Sequence, residues 1–251
     1  MKSGLKTLLV AGFAAAAASC TADGSFGIVS PTTAAKPSGA VSSELAAIAG
    51  EVSEAGQRAY IEKMVSFGTR STISDQVSNT RGIGAARRWV EGEFRSIGTA
   101  CGGCLEIVLP EDTVTGARYP QPTKVVDVVA IQRGTSDPNR VIIIQGHLDS
   151  RNSTNENVTD DAPGANDDAS GVAAVMESAC ILSKRKFGAT LVFAALSGEE
   201  QGLSGGTILA AYAKAQGWEV LAVLNNDIVG NSKGLNGKVD DKTVRVFSEG
   251  I

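Results

Sequence analysis

Histidine is nearly absent from this chain: His147 is the one histidine in 251 residues. Aromatics make up 5% of the residues, too few for the stacking platforms that hold single-stranded nucleic acid. Basic residues are also short, 23 against 27 acidic ones, and a net charge of −4 supplies no general field for a polyanion. Nucleic acid is therefore not the expected partner. Beyond the first twenty residues no apolar run is long enough to cross a bilayer, and no internal repeat marks a solenoid. Cysteine is limited to four residues. Cys101-Gly102-Gly103-Cys104 has no second pair to complete a four-cysteine metal site, so it reads as a structural disulfide, and Cys180 reads as core.

What is present begins with a leader. Lys2 and Lys6 precede an apolar stretch over residues 7–18 and the small-residue site Ala17-Ala18-Ser19-Cys20, the pattern of a signal peptide over residues 1–20. Cys20 after small residues resembles a bacterial lipoprotein box, with Ala17 in place of the usual leucine. Lipidation at Cys20 and plain secretory cleavage both export the protein, to the periplasm, the cell envelope or the medium. Membrane attachment is expected through that anchor alone. Residues 21–42 are rich in Thr, Ala, Ser, Pro and Gly and read as a flexible tether. Asn152-Ser153-Thr154 and Asn157-Val158-Thr159 fit the glycosylation sequon, but a bacterial-looking leader makes them chance matches.

From residue 43 onward the pattern is that of a folded domain. The spacing predicts helices over 43–67, with Ser43 as its cap, and over 81–97, stopped near Gly98. Strands are predicted over 104–109, 123–131 and 140–146, then a helix over 168–186, a strand over 190–196, a helix over 203–216 and a strand over 220–225. Lys124 places the strand of residues 123–131 toward a sheet margin. Alternation of apolar strands with helices from Arg140 onward implies an α/β fold, a mostly parallel central sheet sandwiched between helices.

The polar residues fall at telling places. His147, Glu199, Glu200 and Asp227 lie just past predicted strand ends, and Asp167 lies at the entrance of the following helix. Each has a structural reading: a satisfied core histidine, a helix cap, an acidic turn, a solvated strand end. Together they read differently, because open α/β sheets place ligand sites beyond the carboxyl ends of their strands. Imidazole with carboxylates is the donor mixture of metal sites that activate water. Asp149, two residues past His147 in extended chain, is placed to orient the imidazole.

Gly146-His147-Leu148-Asp149-Ser150, Pro163-Gly164-Ala165-Asn166-Asp167-Asp168-Ala169-Ser170-Gly171, Gly198-Glu199-Glu200-Gln201-Gly202 and Asn226-Asp227 resemble, in order and spacing, the di-zinc aminopeptidases of metallopeptidase family 28. Phe67-Gly68-Thr69-Arg70 and Tyr119-Pro120-Gln121-Pro122-Thr123 add to the likeness, which covers residues 55 to 251. The resemblance implies the zinc-dependent exopeptidase fold (phosphorylase/hydrolase-like). It also implies that His147 and Asp227 bind one zinc, Glu200 the other, and Asp167 both. Glu199 would be the general base, Asp149 the orienter of His147, and the substrates peptides with a free N-terminus. Rival readings are a carboxypeptidase or glutaminyl cyclase of the same fold, or a non-catalytic binding ectodomain, which would have no need of Glu199.

One part of the family pattern is absent. Its second zinc also takes a histidine from a late loop, and none follows His147. The sequence is therefore read as truncated at its C-terminus, in what looks like the start of another strand at residues 245–251, with natural loss of the ligand as the alternative. The complete protein is expected to hold two zincs and this chain one tightly.

Overall fold

The computed structural model describes residues 42–248. The leader, the tether up to residue 41 and the last three residues lie outside the described part. A five-stranded sheet forms the centre, in the order β1 (Glu106–Val108), β4 (Val128–Gln132), β6 (Ala189–Leu196), β5 (Asp137–His147), β7 (Glu219–Asn225). The β6–β5–β7 part is parallel and the β1–β4–β6 part antiparallel, so the sheet is mixed.

Period-2 alternation assigns the strands' apolar residues to two faces. Val128 and Ala130 of β4 and Leu191, Phe193 and Ala195 of β6 pack with α2 (Glu54–Val65), α3 (Gly82–Ala100) and α4 (Ala169–Leu182). Val129, Ile131, Val141, Ile143, Val192 and Ala194 face the other way, onto Leu209 and Tyr212 of α5 (Ser204–Ala215). Helices therefore cover both faces, as the alternation implied. Among the described residues no helix is long and apolar enough to cross a membrane.

The helix expected over residues 43–67 is two helices, α1 (Ser43–Gly50) and α2. Ser42, not Ser43, caps the first, and Ser53 opens the second by accepting the Gly56 amide at 3.0 Å. Glu177 of α4 accepts the Ser53 amide at 2.7 Å, a tertiary contact that holds the break in place. α3 runs through Gly98 to Ala100 and ends at Cys101, which is disulfide-bonded to Cys104 as expected. Cys180 is buried in the α4 face of the core.

The stretch expected as a single strand over residues 123–131 is also two elements. β3 (Tyr119–Val126) leaves the main sheet to pair with β2 (Glu111–Gly116) in a separate antiparallel hairpin, and β4 begins at Val128. Asp127 marks the break: its Oδ1 accepts the Ser197 amide at 2.9 Å, fixing the junction against the end of β6.

Candidate metal centre

Because β5, β6 and β7 are parallel neighbours, their carboxyl ends open on the same edge with β5 in the middle. His147 ends β5, Glu199 and Glu200 follow β6, and Asp227 follows β7. Asp167 enters from the segment leading into α4. The His147 Nε2 lies 3.0 Å from Asp167 Oδ1 and 4.0 Å from Asp227 Oδ1. One ligand atom from each of these three residues lies within 4.8 Å of the others. His147 is buried, and both aspartates are open to solvent.

The donor set suits zinc: one imidazole nitrogen and two carboxylate oxygens leave the fourth tetrahedral position free. The electrostatics agree. Burial pulls the His147 pKa down, yet the carboxylates of Asp149, Asp168 and Glu199 outweigh it and push the ring up to about 10. Surroundings that favour a proton on this imidazole so strongly favour a metal cation in the same place.

Glu199 is half-buried and lines a cavity of about 150 Å³ with His147, Asp227, Leu196 and Leu203. Burial, with Asp149, Asp227 and Asp167 nearby, raises its pKa above the ordinary glutamate value. Glu200 stands apart from the three-residue cluster. Its carboxylate pairs with Arg151 at 2.9 Å, and its carbonyl accepts from Arg118 at 2.9 Å.

Asp149 is fully buried, and its two carboxylate oxygens accept the amides of Glu199 and Glu200 at 3.2 Å each. Glu199 and Glu200 thus sit on a turn tied to the strand that carries His147. Arg70 is also fully buried and gathers carbonyls: Nε donates to Leu148 at 2.8 Å, Nη1 to Pro163 at 2.6 Å and Nη2 to Gly164 at 3.0 Å. It joins the segment after His147 to the one before Asp167. Burial lowers its pKa to about 10, with Asp149, Asp168 and Asp167 holding it up, so it stays charged at neutral pH.

Two contributors escaped the sequence reading. Asp168, adjacent to Asp167, caps α4 through the Gly171 amide at 3.0 Å and also accepts the His147 amide at 3.1 Å. The β2–β3 hairpin reaches the site from outside the sheet: Tyr119 is bonded to Ser204 at 2.6 Å, beside the Arg118 that holds Glu200. The Tyr119-Pro120-Gln121-Pro122-Thr123 motif was the available signal for the hairpin. Its prolines are tolerated because the hairpin lies off the central sheet.

A histidine and carboxylates delivered by three parallel strand ends define the class, an α/β protein with a zinc-type centre at the carboxyl edge of its sheet. Comparison with known proteins makes the assignment specific. The chain matches the model of peptidase family M28 over residues 127–245. It is 48% identical over 209 residues to a probable zinc metalloprotease of Pyricularia oryzae, covering 82% of this chain and 41% of that protein. The chain spans about half the length, or less, of the curated relatives it matches. In fold it is similar to the Legionella pneumophila LapA aminopeptidase, with a TM-score of 0.58 at 22% identity over 78% of this chain and 49% of that one. A glutaminyl cyclase of Bacteroides thetaiotaomicron gives a TM-score of 0.58 at 18% identity over 72% of this chain and 64% of that one.

Proposed function

We propose that the protein is an exported zinc aminopeptidase that removes the N-terminal residue from peptides. The observation that carries this reading is that Glu199 shares one small cavity with His147 and Asp227, so a base and two candidate metal ligands face the same space. His147, Asp167 and Asp227 would hold a zinc ion, and Glu200 a second one after leaving Arg151. Bound there, zinc would acidify water and polarise the scissile carbonyl. Glu199 takes a proton from the attacking water onto its carboxylate and returns it to the departing amine nitrogen. Its raised pKa suits both halves of that transfer. Asp149 keeps Glu199 and Glu200 in place through their amides, and Arg70 offsets the negative charge that these carboxylates concentrate. Export by the leader and reach from a membrane through the tether of residues 21–42 belong to the same reading.

The test uses the zinc-loaded whole protein and three substrates: a peptide amide with a free N-terminus, its acetylated twin, and a peptide beginning with glutamine. Release of the first residue from both peptides with a free N-terminus, and not from the acetylated twin, is expected. Cyclisation of the glutamine without peptide cleavage, or equal cleavage of the acetylated twin, would overturn the reading.

A further inference from the structure

Asp227 is the least supported member of the zinc cluster. It follows β7, which among the described residues pairs with β5 alone, and it stands exposed. The ladder to β5 gives its last hold one residue earlier, where the Asn226 amide reaches the Gln145 carbonyl at 2.8 Å. The next residue after Asp227 bends sharply: Ile228 has φ +52°, a left-handed conformation that a β-branched side chain disfavours. Something must hold that bend.

Three consecutive amides supply the hold, and each ends on a side chain of the segment that carries Asp167. Ile228 donates to Asp168 Oδ1 at 3.3 Å, Val229 to Ser170 Oγ at 3.2 Å and Gly230 to Asn166 Oδ1 at 2.9 Å. Ser170 is itself fixed by donating to the Asn166 carbonyl at 2.7 Å. The two segments touch closely because glycines stand where they meet. A Cβ on Gly171 would fall 2.3 Å from the Asn226 carbonyl, and one on Gly230 would fall 3.0 Å from the Ser170 Cβ.

We propose that Asn166, Asp168 and Ser170 are positioning residues: together they strap residues 228–230 and so set the distance of Asp227 from His147 and Asp167. The inference rests on the reading of those three residues as a zinc site. It assigns a division of labour within Asn166-Asp167-Asp168-Ala169-Ser170. Asp167 faces the metal position, while its polar neighbours hold the third ligand's backbone instead of meeting the ion. The Asp168 bond to the His147 amide makes the same carboxylate a fixed point for two of the three ligand segments.

The experiment measures zinc affinity by chelator competition, with melting temperature recorded alongside. Asn166→Ala/Ser170→Ala removes two of the three acceptors and leaves the His147 and Gly171 contacts of Asp168 intact. It should weaken zinc binding about tenfold to a hundredfold, the usual cost of losing partners that orient a ligand. Ser53→Ala, which removes a helix cap remote from the site, should lower the melting temperature without changing zinc affinity. In an Asp227→Ala background the double substitution should have no further effect, since the strap acts through Asp227. Ser170→Ala alone, should the double variant not fold, is expected to show the same dependence on Asp227. Unchanged zinc affinity in the strap variants, or an equal loss in the Asp227→Ala background, overturns the inference while leaving the zinc site standing. Wild-type affinity in Asp227→Ala itself removes the zinc-site reading, and the inference with it.

Discussion

The imidazole of His147 meets Asp149 first through that residue's backbone: Nδ1 lies 3.1 Å from the Asp149 carbonyl oxygen and 3.5 Å from its carboxylate. The carboxylate is engaged with the Glu199 and Glu200 amides. Asp149 therefore ties the strand end that bears the histidine to the turn that bears the base. Asp149→Ala should leave the backbone contact to the ring but release the turn. The expected result is a rate loss of about tenfold to a hundredfold with a smaller loss of zinc. Parallel measurements of turnover and metal content separate the two. Zinc loss exceeding rate loss would show that the carboxylate serves mainly the ring.

Glu199→Gln keeps the shape of the side chain and removes its basicity. Turnover should fall about 10²- to 10⁴-fold, the scale of general-base contributions, while zinc content stays unchanged. Glu200→Ala, by contrast, should lower both rate and total zinc, because a ligand is lost. Steady-state kinetics with metal analysis on the two variants checks the assignment, and near-normal activity in Glu199→Gln would remove the mechanism.

Asp127 gives a stability prediction away from the metal. Burial, with Asp149 adding repulsion, raises its pKa well above the ordinary aspartate value, against the Ser197 amide bond and Arg87, which lower it. The folded state then holds the proton more tightly than the unfolded one. Its contribution is greatest below the ordinary aspartate pKa and declines as pH rises through the window up to the raised folded value. Asp127→Asn should flatten that decline. Denaturant midpoints across pH for both proteins measure it, and parallel curves would show that Asp127 ionises normally in the fold.

The leader makes a prediction of its own. If Cys20 is the lipidated N-terminus, Cys20→Ser moves the protein from the membrane to the soluble fraction, and the wild-type N-terminal peptide carries acyl mass. A wild-type N-terminus elsewhere, without acyl mass, would leave export standing and remove the anchor.

Much of this was legible in the residues because local periodicity and strand-end position are local properties. The apolar run before His147, the helical spacing after Asp168 and the apolar stretch before Glu199 placed β5, α4 and β6 to within a few residues at most boundaries. The breaks were not legible. The apolar stripe runs across residues 51–53 in helical register, and the partner that interrupts it, Glu177, lies more than a hundred residues away. β2 is mostly exposed and carries no hydrophobic alternation, and β3 buries Tyr119, Thr123 and Val125 among prolines and polar residues, so no apolar run marks the hairpin.

The sequence by itself determined which donors exist, one imidazole among carboxylates, and that they follow successive strands. Tertiary structure decided how they are divided. Asp167 went to the histidine and Asp168 to backbone amides, Glu200 turned to Arg151 while Glu199 stayed in the cavity, and Arg70 was withdrawn into the core to bind carbonyls. Adjacent residues of the same type cannot be told apart by spacing alone. Which of two neighbouring carboxylates faces a ligand depends on the backbone groups and charges that distant segments bring to each one.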